Sequence, residues 1–408
     1  MKRQHPSCKV LTLAVFSFGM LLSGCSNRYA RPDSVTSQTA HKVETIEMDE
    51  LHITVGKNAS GGLGIEDGFD VYDAPTLFQE ASALFDAEKY AEAAEKYEKL
   101  AIEFEDSAWV PPSLFNAALS LEVLGKFSDA AVRYKRVFSA FPSSKQAKEA
   151  GVRQAACLAE LAQWVQSAEV LAQLEQRDDL NVAERLETIA RHGLALFEMK
   201  DLGGADAKFQ KALALYEARK AEEAPPNTFF VAMSQFYVAH VAHLRFRDLP
   251  LRLPQKQLAL DVDTKAKAFL LANNKYVEAI KLKNPTWATA AGYHVGTLYR
   301  DLYDSMLGAP VPKELEKNGS KVLYDLLLRG QLRGLLTSAK NVLESNVKMA
   351  DRLGVKNGWT ERSNEQLAEL DRLIGGLDDP PANSETSPTS PTRPNRPAPE
   401  QAKQRATL

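Results

Sequence analysis

Cysteine is scarce, with 3 residues in 408, and no CxxC or Cys/His spacing suggests a structural zinc site. A disulfide-stapled scaffold is therefore excluded. A basic surplus is also missing: 50 Lys+Arg face 53 Asp+Glu, a formal charge of -3, so there is no field to attract nucleic acid. No apolar run reaches the ~20 residues that a spanning helix needs. Nucleotide and hydrolase signatures are absent as well. The run Ser60-Gly61-Gly62-Leu63-Gly64 lacks the GK[ST] ending of a phosphate loop, and no GxSxG elbow or paired-carboxylate motif occurs on a defensible turn. What is present is a chain with 44% hydrophobic residues, enough for roughly two to three domains' worth of core.

The front end reads as an export address. Lys2, Arg3 and Lys9 precede the apolar stretch VLTLAVFSFGMLL, which matches the h-region of a signal peptide. Leu22-Ser23-Gly24-Cys25 follows and resembles the bacterial lipobox, the alternative being a plain signal peptide with an incidental cysteine. The resemblance implies cleavage before Cys25, lipidation of its thiol and anchoring through several acyl chains, each buried CH₂ contributing ~0.8 kcal/mol. Ser26 stands where an aspartate tends to retain such proteins in the inner membrane, which implies the outer membrane, facing the periplasm. Cleavage removes three basic residues and shifts the charge from -3 to -6. Cys157, among Ala155, Ala156 and Leu158, reads as an inert core thiol.

Residues 25–73 read as a lipidated, flexible, acidic tether. Within it, residues 43–55 are rich in β-branched side chains and alternate partly. They read either as a strand that adds to the sheet edge of a partner protein or as a disordered leash.

From Ala74 onward the pattern is helical, and an internal period is its main feature. Lys89-Tyr90-Ala91-Glu92-Ala93-Ala94-Glu95-Lys96-Tyr97 aligns with Lys126-Phe127-Ser128-Asp129-Ala130-Ala131-Val132-Arg133-Tyr134. The frame recurs at Trp164 and at Leu202, with Phe209 in the tyrosine position, at spacings of 37, 37 and 38 residues. This resembles the tetratricopeptide repeat, a helix–turn–helix unit of ~34 residues. Ala81, Ala118, Ala155 and Gly193 match its small position on the first helix, and Gly125 its turn. Ala93, Ala130 and Ala205 match the small position on the second helix, and Pro142 the closing proline. Glu105 and Ser167 depart from the pattern at the closing-proline and second-helix positions. Residues 74–220 are thus expected to form a repeat solenoid with a concave groove lined by first helices.

Residues 221–377 continue as helices with a weaker period. Asn227 to Phe246, Ala266 to Leu282, a helix opening at Asn284-Pro285, Val322 to Leu353 and Glu361 to Leu373 are the expected elements. Gly296 suits a close helix crossing. Three pieces carry a further resemblance: Asn284-Pro285-Thr286-Trp287-Ala288-Thr289-Ala290, Ala309-Pro310-Val311-Pro312 and Gly354-Val355-Lys356-Asn357-Gly358-Trp359-Thr360. They resemble tetratricopeptide outer-membrane lipoproteins of predatory and gliding deltaproteobacteria, among them the adventurous-gliding-motility group. That resemblance implies a structural component of an envelope complex. Residues 378–408 hold seven of the 20 prolines in a PxxP rhythm and form a disordered spacer, the alternative being a ligand for a PxxP reader.

The chemistry-bearing residues are few. His240 and His243 share a helix face, but a zinc would need a third ligand and an acidic base, and their neighbours are apolar. Core packing is the expected role, with no metal and no cofactor. Candidate groove residues are Phe78, Phe85, Phe115, Asn116, Glu122 and Arg153. Asn116 and Arg153 fall on positions with which some tetratricopeptide domains clamp a carboxylate, but Phe78, Ser82 and Glu149 leave that clamp incomplete. Aromatics and acids together would suit an amphipathic or basic peptide, whereas the same phenylalanines could simply be inter-repeat core. The sequence thus describes an all-α, non-enzymatic scaffold for protein partners at the cell envelope. Motility machinery is one setting; outer-membrane protein assembly or cell-wall coordination is the alternative, and a metal protein using His240 and His243 the remote one.

Overall fold

The computed structural model describes residues 52–54, 70–222, 228–311 and 320–377. The leader with Cys25, most of the tether and the proline-rich tail lie outside the described residues. The described chain is helical apart from two short strands, β1 (His52–Thr54) and β2 (Asp70–Tyr72), paired antiparallel with Ile53 opposite Val71. Where residues 43–55 were expected to extend a partner's sheet or remain a leash, residues 52–54 instead pair within the chain. The alternation of Asp70-Val71-Tyr72 is too short to read as a strand from sequence.

Eight helices follow in four antiparallel pairs. They are α1 (Ala74–Asp86) with α2 (Tyr90–Glu103), α3 (Val110–Val123) with α4 (Phe127–Ala140), α5 (Ala147–Glu160) with α6 (Trp164–Glu175), and α7 (Val182–Glu198) with α8 (Leu202–Arg219). The second helices begin at Tyr90, Phe127, Trp164 and Leu202, the 37, 37 and 38 spacing of the sequence frame. Each helix packs on its neighbours in sequence.

The turn inside each pair repeats as faithfully as the helices. Glu88, Gly125, Ala162 and Lys200 all take positive φ, between 55° and 71°. At each, the next amide reaches back five residues: Lys89 N to Leu84 O, Lys126 N to Leu121 O, Gln163 N to Leu158 O and Asp201 N to Leu196 O. This is the Schellman closure, which satisfies carbonyls that a helix end would leave bare.

Packing within pairs is periodic too. Phe78 meets Tyr97 edge-on with centroids 5.4 Å apart, and one repeat later Phe115 meets Tyr134 at the same 5.4 Å. Ala81, Ala118 and Ala155 are buried where helices cross closely. The departure at Ser167 has a local explanation: its buried hydroxyl donates to the carbonyl of Ala155 at 2.9 Å, so the polar group is not orphaned. Glu105 for proline changes little, because Ser107 N to Phe104 O and Ser144 N to Phe141 O close equivalent loops.

Five longer helices complete the chain: α9 (Phe229–Asp248), α10 (Gln255–Lys281), α11 (Pro285–Leu307), α12 (Ser320–Leu353) and α13 (Gly358–Gly376). Helix α10 starts well before the expected Ala266. Asp261 holds that extra length by accepting from the backbone and guanidinium of Arg252 and from Gln257. Lys265 is buried and donates to the carbonyls of Phe246 and Leu249, capping the C-terminus of α9 with a cation, as its dipole favours. Asn284 caps α11 through Trp287 N, and Gly296 lies against Leu343 of α12, the close crossing expected of it. One apolar cluster runs from Ala190 of α7 to Leu298 of α11, so α8 and α9 share a core. No helix of the described residues is long and apolar enough to cross a membrane.

Candidate functional site

Of the groove residues named from the sequence, the structure gathers Phe115, Glu122 and Arg153 into one network. Phe78 and Phe85 sit one repeat away. Phe78, Phe85 and Phe115 are 1%, 6% and 3% exposed, and Asn116 is fully buried. Phe78 packs on Tyr97 and Trp109, and Phe85 on Tyr90. These aromatics therefore take a core-packing role, because the period that puts them on first helices turns them toward the second helix of their own pair and, for Phe78, toward Trp109 at the start of α3.

Glu122 and Arg153 form the polar centre of the network. Tyr134 Oη donates to Glu122 Oε2 at 2.7 Å, and Arg153 Nη1 donates to both Glu122 oxygens at 3.2 and 3.3 Å. Arg153 Nε donates to Glu149 Oε1 at 2.9 Å, while the guanidinium lies over the Phe115 ring at 5.9 Å. Burial opposes the guanidinium charge, but Tyr134, Glu122 and Glu149 outweigh it and hold Arg153 protonated. Burial, aided by Glu122, pushes the Tyr134 phenol well up. The carboxylate that a clamp would take from a ligand is thus supplied by the chain's own Glu122. Cys157 is buried nearby and free, and burial pushes its thiol up, consistent with an inert core residue.

A second polar cluster lies at the α6–α7–α8 junction. Glu175, at the end of α6, accepts from His192 Nδ1 at 2.6 Å, Lys208 Nζ at 2.7 Å and Lys211 Nζ at 2.9 Å. Burial pushes the carboxyl up, and these three hydrogen bonds outweigh it, holding Glu175 well below the usual carboxylate range.

The third cluster lies between α9, α10 and α11. His240 Nδ1 and His243 Nδ1 both face Tyr276 Oη, at 3.0 and 3.2 Å. His294 of α11 stacks on the Tyr276 ring at 5.8 Å and meets the His240 ring at 4.6 Å. One ring nitrogen from each of the three histidines lies within 4.8 Å of the others. His243 Nε2 is 3.1 Å from Asp301 Oδ2. Burial, with His243 and Arg247 adding to it, pushes His240 down to about 3, and burial likewise depresses His294. A cavity of about 280 Å³ opens beside these rings, with Arg247, Tyr293 and Asp301 on its walls.

The helix pairs, their period and the small residues at their crossings decide the architecture. The fold is a tetratricopeptide-type solenoid. Among solved structures, similar chains include the C-terminal part of a TPR repeat-containing protein from Cytophaga hutchinsonii, at 14% identity and TM-score 0.39, covering 74% of this chain and all of that one. The apo form of RapI shares 12% identity at TM-score 0.40, covering 74% of this chain and 99% of that one. A tetratricopeptide repeat protein from Parabacteroides merdae shares 13% at TM-score 0.36, covering 74% and 98%. No protein-family model matches the chain, and no curated protein matches it.

His240 and His243, apolar-flanked along α9, gain polar neighbours from α11. From sequence, His240 and His243 lack a third ligand and an acidic neighbour. Helix α11 brings both, as His294 and Asp301. Glu175 and its two lysines escape a sequence reading because nothing local marks a pairing between repeats.

Proposed function

We propose that this chain is a non-enzymatic scaffold of the cell envelope, anchored by lipid at Cys25 to the outer membrane and holding protein partners on its periplasmic solenoid. One observation carries the reading: a stack of helix pairs stands behind a leader that ends in Leu22-Ser23-Gly24-Cys25. Such stacks offer extended surfaces to other proteins. Their groove-side anchors here are satisfied internally, so the surface available to partners is the exposed one. Leu323, Leu326 and Leu327 of α12, at 58%, 47% and 60% exposure, are apolar surface of the kind that partners cover. A gliding-type motility complex is the specific setting, supported by the resemblance of the three C-terminal pieces.

Fractionation and crosslinking test the reading together. The wild-type chain should sediment with outer membranes and crosslink to a defined set of barrel and periplasmic components. Cys25→Ala should release it to the soluble fraction and lose those partners. Outer-membrane retention of Cys25→Ala would place the anchor elsewhere, and a wild-type chain with no stable partner would remove the scaffold.

A further inference from the structure

Enclosing three imidazoles together, His243 buried and His240 and His294 half-buried, has a cost that apolar side chains at the same positions would avoid, because each ring carries two polar nitrogens to desolvate. Tyr276 accounts for only part of the arrangement. Its single hydroxyl can donate to one of the two facing Nδ1 atoms and accept from the other, which leaves His294 without a role in that pair. The rings come from two helices, α9 and α11, that need not have placed like groups at one point.

The geometry points to a site for a divalent first-row metal of the zinc class, held by His240, His243 and His294 in the second half of the solenoid. Imidazole nitrogen is a donor such ions favour, and three of them converge on one point here. One nitrogen from each ring already lies within 4.8 Å of the others. Zinc–nitrogen bonds of ~2.0–2.1 Å set ligand nitrogens roughly 3.3 Å apart, so side-chain adjustment alone closes the site. His243 has the outer partner that metal-bound histidines use: its Nε2 faces Asp301 Oδ2 at 3.1 Å, which fixes Nε2 as the protonated nitrogen and leaves the lone pair on Nδ1, which faces the Tyr276 hydroxyl in the metal-free chain. The fourth position faces the cavity of about 280 Å³, leaving room for water or a partner's side chain. Asp301 also neutralises part of the ion's charge, and Arg247, 3.5 Å from the same carboxylate oxygen, is the nearby cation that opposes it. The site is independent of membrane anchoring and of partners, so either reading can fail without the other.

The test uses the full chain purified in detergent, stripped with chelator and titrated with Zn²⁺ and, separately, Co²⁺. One ion per chain should bind, and Co²⁺ should give the visible absorption of a four-coordinate nitrogen-rich site. His294→Ala and the more conservative His294→Gln should each weaken binding by more than about 100-fold, and Asp301→Asn by about 10–100-fold, as loss of an outer-shell carboxylate does. His192→Ala, outside the cluster, should leave binding unchanged. Failure of the wild-type chain to take up a stoichiometric ion would overturn the site. So would an unchanged affinity in a His294→Gln chain whose helical circular dichroism matches wild type.

Discussion

Gly193 of α7 lies so close to Phe209 of α8 that a Cβ at Gly193 would stand 2.8 Å from ring atom Cε1. Alanine in a helix interior normally gains about 1 kcal/mol over glycine. Here the ring is fully buried and cannot retreat, so overpacking decides the sign. Gly193→Ala should destabilise the chain by about 1–3 kcal/mol. Gly334 in α12 is the internal control, because nothing lies within 4 Å of the point where a Cβ would stand. Gly334→Ala should stabilise by up to about 1 kcal/mol. Denaturant midpoints of the two variants should move in opposite directions.

The four intra-pair turns predict a second inversion. Gly125 meets its φ of 71° at no steric cost, whereas Ala162 holds φ 55° with a Cβ. A left-handed backbone costs a non-glycine residue roughly 1–2 kcal/mol. Gly125→Ala should therefore destabilise by about 1 kcal/mol, although open space surrounds the position. Ala162→Gly should stabilise by up to about 1 kcal/mol, the unfolded chain's extra freedom offsetting part of the gain. A thermal melt that ranked both substitutions as destabilising would refute the argument.

These turns also mark what was legible in the sequence. The period is carried by small residues at crossings and by a fully buried aromatic at Tyr97, Tyr134 and Phe209 of the second helices, and both are constraints of packing. The helix starts at Tyr90, Phe127, Trp164 and Leu202 therefore follow directly from the frame. Only one of the four turns carries glycine, because the Schellman hydrogen bonds hold Glu88, Ala162 and Lys200 in place without it. Long-range polar chemistry is far less legible. Glu175 with Lys208 and Lys211, or His240 with His294, meet only through the superhelix, and nothing in their local spacing announces the partner.

Arg153 offers a test of how the polar centre contributes. Removing it leaves Glu122 and the Tyr134 hydroxyl enclosed without their cation. Arg153→Ala should cost about 3 kcal/mol, lost packing on Phe115 included. The pair Glu122→Gln with Arg153→Met removes both charges together and should be less destabilising than the sum of the single changes. A double-mutant cycle on urea unfolding measures the difference, and strict additivity would mean that the two side chains are energetically independent.

Glu175 gives the pH dependence. Its folded-state pKa is depressed and its unfolded value is about 4.3, so between these the unfolded chain binds the extra proton. Stability then rises with pH across that window: the contribution is fully present above about pH 4.3 and is lost as pH falls through the folded-state value. Glu175→Gln abolishes the titration and leaves Lys208 and Lys211 facing a neutral amide. With Lys211 largely in solvent, screening reduces the loss, and about 2 kcal/mol at pH 7 is expected. Between pH 7 and pH 3 the gap in unfolding free energy between wild type and Glu175→Gln should narrow as pH falls below about 4.3. A constant gap across the range would show that the cost of the substitution is steric and that the carboxylate's charge is not what joins α6 to α8.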